Sequence, residues 1–381
     1  MTVSLVKCDS YDQSAVMVAL EQVLEPLGGL EWVQPGMTIA IKANLVTFFH
    51  PDKAATTHPA LLCALVEMLK GRGARVIVGD SPGGLYNHAY VNRIYAATGM
   101  KRVEESGAEL NQNYSQKDVH FEDAVICKDF TYTAWLDQAD AIINFCKLKT
   151  HGMMGMSAAA KNLFGTIPGT MKPEYHYRFP EIQNFSNMII DLNDYFKPKI
   201  SIVDAIVGME GNGPTAGTPR HIGALAASEN PHALDMLCAR LIGLDPNKIP
   251  TLQAAVSRGL VPDSLEQIDI IGPWQDVCIS DYQLVDGTRS LQFNQDSKSA
   301  LGKTVAKIMQ NVLASKPMLK KESCIGCREC QKICPADAIT MIDKKPVIDR
   351  TKCIRCFCCQ EFCPKGAMMV HRTWLARILG R

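Results

Sequence analysis

Short apolar runs followed by stretches of helical spacing recur through roughly the first 300 residues, the order expected of a mostly parallel open sheet with helices on both faces. "MTIAIKANL" reads as a strand ending near Lys42 to Asn44. "THPALLCALVEMLKGRG" then reads as a helix, with Thr57 as N-cap, Pro59 in the first turn and Gly71 to Gly73 at its end. "ARVIVGDSPGG" is a second strand running into Asp80 and a glycine loop, and "ADAIINFCKLKTH" is a third. "KISIVDAIVGMEGNGPTAGTP" is a fourth, ending in Asp204 and another glycine-rich loop before the helix "NPHALDMLCARLIGL". Carboxyl ends of parallel strands share one edge, and ligands bind there. Lys42, Asp80, Lys147 to His151 and Asp204 are therefore expected to build one site.

The pattern changes after residue 298, where the large α/β domain (1–298) is expected to end. In 299–320, Leu301, Val305, Ile308, Met309 and Val312 fall on one helical face, giving a linker helix that Pro317 stops. Residues 321–371 read as a small α+β module, with a hairpin in "AITMIDKKPVID" turning at Asp343 to Pro346. The tail 372–381 places Trp374, Leu375, Ile378 and Leu379 on an amphipathic stripe beside Arg372, Arg377 and Arg381. It is expected to dock on the protein's own surface, with a membrane or partner anchor as the alternative.

Composition narrows the function classes. A net charge of +1 on 381 residues gives no global argument for a nucleic-acid partner. No 18-residue apolar run occurs, so no integral membrane segment is expected, and Asp9 and Asp12 interrupt any leader-like stretch, which reads as a cytoplasmic protein. Fifteen cysteines are many for that compartment, and nine lie between Cys324 and Cys363. Clustering of that kind points to metal ligation and away from disulfides.

"CIGCRECQKICP" and "CIRCFCCQEFCP" are both C-x2-C-x2-C-x3-C-P, a run that ligates iron-sulfur clusters and lends its fourth cysteine to the other cluster. Cys324, Cys327, Cys330 and Cys363 are thus expected to hold one [4Fe-4S], and Cys353, Cys356, Cys359 and Cys334 a second. Cys358 is left over, since only Cys359 keeps both spacings. Two structural zincs are the rival, at odds with interlocked spacing. The repeat of about 30 residues resembles the bacterial two-cluster ferredoxin fold over residues 321–371.

The large domain lacks G-x-G-x-x-G, G-x-x-x-x-G-K-[ST] and G-x-S-x-G. What remains is cationic. Lys147 and Lys149 follow the buried run Ala141 to Cys146 and project to one face of an extended chain. "GMMGMSAAAKNLFG" next reads as a helix whose N-terminal N–H groups aim at the same edge, an anion-binding corner, with a plain strand-to-helix turn as the alternative. Lys161 and Asn162 add polar groups further along it. His151 and His176 are read either as hydrogen-bonded turn residues or as proton donors and acceptors, with metal ligation a third possibility.

"KANLV" with "THP", "KLKTHGMMGMSAAAKNLFG" with the later His176, and "DAIVGMEGNGPTAGTP" resemble the domain-of-unknown-function 362 family over roughly residues 30–260. That family is often fused to ferredoxin modules. The resemblance implies an α/β domain with these polar residues clustered, in bacteria or archaea of anaerobic redox metabolism, but no particular activity.

The resulting expectation is an iron-sulfur oxidoreductase taking electrons from, or giving them to, an external carrier such as ferredoxin. It would act on a small anionic molecule bound by Lys42, Asn44, Lys161, Asn162, Asp80 and Asp204, with Lys147, Lys149, His151 and His176 as the reactive set. Single-electron delivery calls for a radical intermediate or an additional redox cofactor such as a flavin, to which no residues are assigned. The alternatives are a non-catalytic electron-transfer or ligand-sensing protein serving a partner enzyme, and a metal-dependent lyase or isomerase using His151 and His176.

Overall fold

The computed structural model describes residues 1–285 and 315–371. The large domain is built on one nine-stranded mixed sheet. Its strands are β1 (Thr2–Lys7), β2 (Thr38–Lys42), β3 (Arg75–Gly79), β4 (Glu109–Leu110), β7 (Ala141–His151), β8 (Gly155–Ser157), β9 (Ile200–Glu210), β10 (Thr218–Ser228) and β11 (Asp269–Ile271). The order is β11-β1-β10-β9-β7-β2-β3-β4, with β8 folding back on β7. β5 (Gln116–His120) and β6 (Asp129–Thr133) form a separate ribbon. From β4 to β9 every neighbour along the sheet is parallel, whereas β10 runs antiparallel to both β9 and β1.

Strand alternation sends side chains to two cores. Ile143 and Phe145 face one core with Leu20 of α1 (Gln13–Leu24) and Leu61 and Leu65 of α2 (Pro59–Gly71). Cys146 and Leu148 face the other with Leu234, Leu237 and Leu241 of the helix Pro231–Leu241. Helices therefore cover both faces. The cap of α2 is His58 and not Thr57: the His58 Nδ1 accepts from Ala60 N, while the Thr57 hydroxyl donates to the Phe145 carbonyl on β7.

Chain direction across the sheet reverses between β2 and β7, since β2, β3 and β4 step one way and β7 and β9 the other. A crevice opens at the carboxyl ends of strands on either side of such a reversal.

The C-terminal module begins earlier than its sequence pattern implies. Lys316–Leu319 is β12, paired antiparallel with β15 (Met368–His371), so the expected linker helix does not extend to residue 320. Pro317 belongs to this strand and is not a helix stop. The remainder of that helix and the tail 372–381 lie outside the described residues. β13 (Ile339–Ile342) and β14 (Lys345–Ile348) form the anticipated hairpin, turning through Asp343 and Lys344, both at positive φ. The two cysteine runs repeat in backbone as well as sequence: Gly326, Arg328 and Asp337 have positive φ, as do Arg355, Phe357 and Gly366, each 29 positions on.

Candidate functional site

A cavity of about 460 Å³ occupies the crevice, and its lining comes from both parts of the chain. The large domain supplies Lys42, Asn44, Asp80, Lys149, His151, Lys161, Asn162 and His176; the module supplies Cys358, Glu361, Phe362 and Cys363. Aromatic walls come from Phe48, Phe49, Tyr90 and Phe164.

Eight of the ten non-cysteine residues singled out from the sequence thus meet here, and two do not. Lys147 and Asp204 stand opposite each other on β7 and β9 and close a buried ion pair of 2.7 Å. Asp204 also accepts from the Tyr11 hydroxyl at 2.9 Å and from His58 N at 3.1 Å. β9 continues to Glu210, so Asp204 sits in mid-strand, and the place expected for it at a strand end is corrected.

The other buried lysines differ in how they are neutralised. Lys42 lies 2.6 Å from Asp80. Gly165 permits this contact, since a Cβ there would collide with both side chains, which explains the glycine of the "KNLFG" element. Among the described residues Lys149 has only neutral acceptors, Asn44 Oδ1 and the Ala55 carbonyl, both at 2.7 Å. Burial, reinforced by the nearby Lys161 charge, lowers its pKa to about 7. Lys161, half-buried, has among the described residues only the Phe164 ring and more distant charges near its ammonium; burial pulls its pKa down too. Lys172, which sequence reading missed, enters from the helix Lys172–Arg178 and donates to the Ser81 and Ile167 carbonyls. Burial lowers it to about 7 as well. Its sequence setting, "GTMKPEY", carries no signal beyond a lysine at a helix start.

Asn44 joins these groups into a chain. Its Oδ1 accepts from Lys149, its Nδ2 donates to Asn162 Oδ1 at 2.8 Å, and Asn162 Nδ2 donates to Asn144 Oδ1 at 2.8 Å.

The helix after β8 contributes differently from expectation. It is one turn, Ala159–Asn162, and its first amides are consumed by Asp235, which accepts from Ala159 N at 2.6 Å and Ala160 N at 3.1 Å. The anion-binding corner at its N-terminus is therefore already filled by a carboxylate. Positive charge in the cavity comes from lysine side chains.

Neither histidine is charged near neutral pH. His151 Nδ1 accepts from Met153 N and Met154 N, so its proton sits on Nε2, 2.9 Å from Glu361 Oε1. Burial, then the Lys161 charge, lowers its pKa to about 4. His176 stacks on Phe185 at 4.3 Å, and burial lowers it to about 3. Burial disfavours the Glu361 carboxylate, but His151 and Lys161 outweigh it and hold that group below the usual carboxylate range.

The module is seated on the large domain by a second set of contacts. Gln360, fully buried, donates to the Asn212 and Gly213 carbonyls at 3.0 and 2.9 Å, and the Thr215 hydroxyl donates to the Glu361 carbonyl at 3.0 Å. Loop 211–217, read from sequence as a glycine-rich site loop, is a cradle for the one-turn helix Cys358–Glu361.

Two small cavities inside the module collect the cysteines. One is lined by Cys324, Cys327, Cys330 and Cys363, the other by Cys334, Cys353, Cys356 and Cys359 with Cys358 at its side. Burial and then Cys363, Cys327 and Cys324 push the Cys330 thiol up to about 11, and burial with Cys356, Cys353, Cys330 and Cys334 raises Cys359. Four cysteines around a void fit an iron-sulfur cluster, which takes them as thiolates. Ala367 N and Ala338 N point at Cys363 Sγ and Cys334 Sγ at 3.1 and 3.3 Å, equivalent places in the repeat.

The model of the domain of unknown function DUF362 matches residues 39–240, more than half of the chain, and takes in all eight of the large-domain cavity groups named in the first lining set. The chain belongs to the DUF362 family. A 4Fe-4S dicluster domain matches residues 316–364, so this DUF362 protein carries an iron-sulfur module of electron-transfer type, with β12 inside its boundary. A thylakoid-associated protein of Synechocystis is 31% identical over 300 residues, covering 77% of this chain and 90% of that relative. Among solved structures, the lactate racemase apoprotein of Thermoanaerobacterium thermosaccharolyticum aligns at 13% identity and TM-score 0.41, covering 64% of this DUF362 chain and 57% of its own. A Thermotoga maritima protein aligns at 11% and 0.35, over 54% and 52%. The DUF362 chain thus spans little more than half of either solved chain. Among the described residues, no helix is long and apolar enough to cross a membrane.

Proposed function

We propose that this protein is an oxidoreductase that exchanges electrons between two [4Fe-4S] clusters and a small organic anion held in the interdomain cavity. Cys324, Cys327, Cys330 and Cys363 would hold one cluster, and Cys334, Cys353, Cys356 and Cys359 the other. The observation that carries this reading is that Cys363 and the lysines lacking a carboxylate partner among the described residues, Lys149, Lys161 and Lys172, line one cavity.

The bound clusters supply one-electron transfers; the chain's own residues do the rest. Lys149, Lys161 and Lys172 bind the anionic group, and Phe48, Tyr90 and Phe362 enclose an apolar or unsaturated body. Lys42, held by Asp80, and Asn44 with Asn162 fix the floor. His151 and His176 are neutral, so protons for a reduced product come from Lys149 or Lys172, whose pKa values near 7 suit them to that task. Lys147 and Asp204 take no part. A metal-dependent reaction at His151 and His176 lacks support, because His151 Nδ1 already accepts from the Met153 and Met154 amides.

The test is anaerobic isolation with iron and sulfide counts, followed by reoxidation of dithionite-reduced protein with a panel of unsaturated carboxylates. Mass spectrometry of material released on denaturation shows whether an additional redox group such as a flavin travels with the chain. Reoxidation by an anion, lost in Lys149→Ala, is the expected outcome. Binding of anions without any product would favour the second reading, a ligand-sensing protein serving a partner enzyme. The His151–Glu361 contact supports that alternative, because it ties the cavity to the helix that carries Cys359.

A further inference from the structure

The iron-sulfur module is basic on a chain that is nearly neutral. Residues 316–371 contain eleven Lys and Arg against six Asp and Glu, while the whole chain has a net charge of +1. Two of those six acids are already engaged, Glu361 by His151 and Glu329 by Lys332.

One groove concentrates this charge beside a cage cysteine. It is open, about 640 Å³, and distinct from the cationic cavity. Lys316, Arg350 and Arg355 line it together with Cys353, across from Glu181 of the large domain. Arg350 and the neighbouring Lys352 are exposed. Among the described residues, Lys316, Arg350 and Lys352 form no ion pair within 4 Å.

The two cages have different outlooks. Cys363 is the one proposed ligand that lines the anion cavity, and Cys353 is the one that lines the groove. Cys330 of the first cage and Cys359 of the second lie in one small buried cluster, with Cys334 and Cys363 packed against it, so the cages are neighbours. A route from groove to cavity therefore passes through both in order.

We propose that this groove docks an acidic one-electron carrier protein of the ferredoxin class. One electron leaves the carrier and one is gained at the Cys353 cage; it moves to the Cys363 cage and is available at the cavity. No covalent bond forms or breaks. The proposal rests on the reading of the two cages as clusters, but not on the identity of the cavity ligand. Charge complementarity speeds encounter and makes it salt-dependent.

Stopped-flow reduction of the anaerobic holoprotein by a purified, reduced, acidic two-cluster ferredoxin tests it without any cavity ligand. The wild-type rate should fall as salt is raised. Arg350→Glu with Lys352→Glu should slow reduction roughly tenfold or more at low salt, the range over which steering acts, and converge with wild type at high salt. Dithionite should reduce both proteins alike, and their EPR spectra should match. Lys320→Glu with Lys321→Glu, basic residues outside the groove, should leave the rate unchanged. An unaltered rate in the Arg350 and Lys352 variant, or an equal loss in the Lys320 and Lys321 variant, overturns the proposal. Should the first variant lose its clusters, the wild-type protein still decides: a salt-independent rate, or equal rates with a basic carrier, sinks the idea. Failure of dithionite as well as carrier to reduce the protein would remove the cluster reading beneath it, whereas absence of cavity chemistry would leave this assay untouched.

Discussion

Lys149 and Lys147 are two positions apart on one strand and on one face, yet their environments assign them opposite work. Lys147 has a carboxylate at 2.7 Å, and among the described residues Lys149 has none. Lys147→Ala leaves Asp204 buried and unpaired, which costs about 3–5 kcal/mol and should lower the urea midpoint while the surviving folded protein binds anions as before. Lys149→Ala should do the reverse, sparing most of the stability and abolishing anion binding in calorimetry. A second prediction concerns protons. Burial lowers Lys149 and Lys172 to about 7, and only their ammonium forms attract an anion. Affinity should be full below that value and fall as pH rises through it, roughly tenfold per pH unit for each lysine that must be recharged. Binding at pH 7.5 should take up protons, so the apparent enthalpy should vary with buffer ionisation enthalpy. A buffer-independent enthalpy would show that these lysines are already charged. The sequence made the shared face of the two lysines legible through period-two alternation. It did not reveal which one Asp204 would claim, because that choice depends on the register of β7 against β9, set by packing 57 residues apart in the chain.

Among elements, the cysteine runs were the most readable, since ligand spacing is a local property and the 29-residue repeat is visible in both sequence and backbone. The strand-helix alternation was legible for the same reason. What stayed hidden was pairing between distant segments. Lys316–Leu319 follows an apolar stripe of helical period, and its strand state is dictated by β15, more than 40 positions on. Likewise, nothing local in "GNGPTAG" announces that it will receive Gln360. Cys358 belongs to this scale too. It opens the one-turn helix Cys358–Glu361 and lines the interdomain cavity, whereas Cys359, one position on, lies in the second cage. Cys358→Ser should therefore retain the iron and sulfide content of wild type, whereas Cys359→Ser and Cys363→Ser should each lose one cluster's share. Equal iron loss in Cys358→Ser would mean that the register of the second run is shifted by one residue.

At the scale of the whole molecule, the cavity lies at the seam between the two domains. The DUF362 domain alone offers lysines over an incomplete bowl, and the module alone offers cages with nothing to act on. Their union depends on close approach at a few small residues. A Cβ at Gly152 would lie 2.7 Å from Val370 and 3.1 Å from the Gln360 side chain, both in the module. Gly152 follows His151 directly, so the glycine that admits the module adjoins the histidine that contacts Glu361. Gly152→Val should push the module outward without touching any cage cysteine. The variant is expected to keep its iron content and its reduction by dithionite, while reoxidation by a cavity ligand falls roughly 10- to 100-fold, the cost of displacing reacting groups by about an ångström. Anion binding by Lys149 and Lys161 should weaken less, because those side chains stay with the large domain. If transfer to the ligand instead survives intact, the cavity is not where the electrons leave the module, and the lysines and cages serve separate purposes.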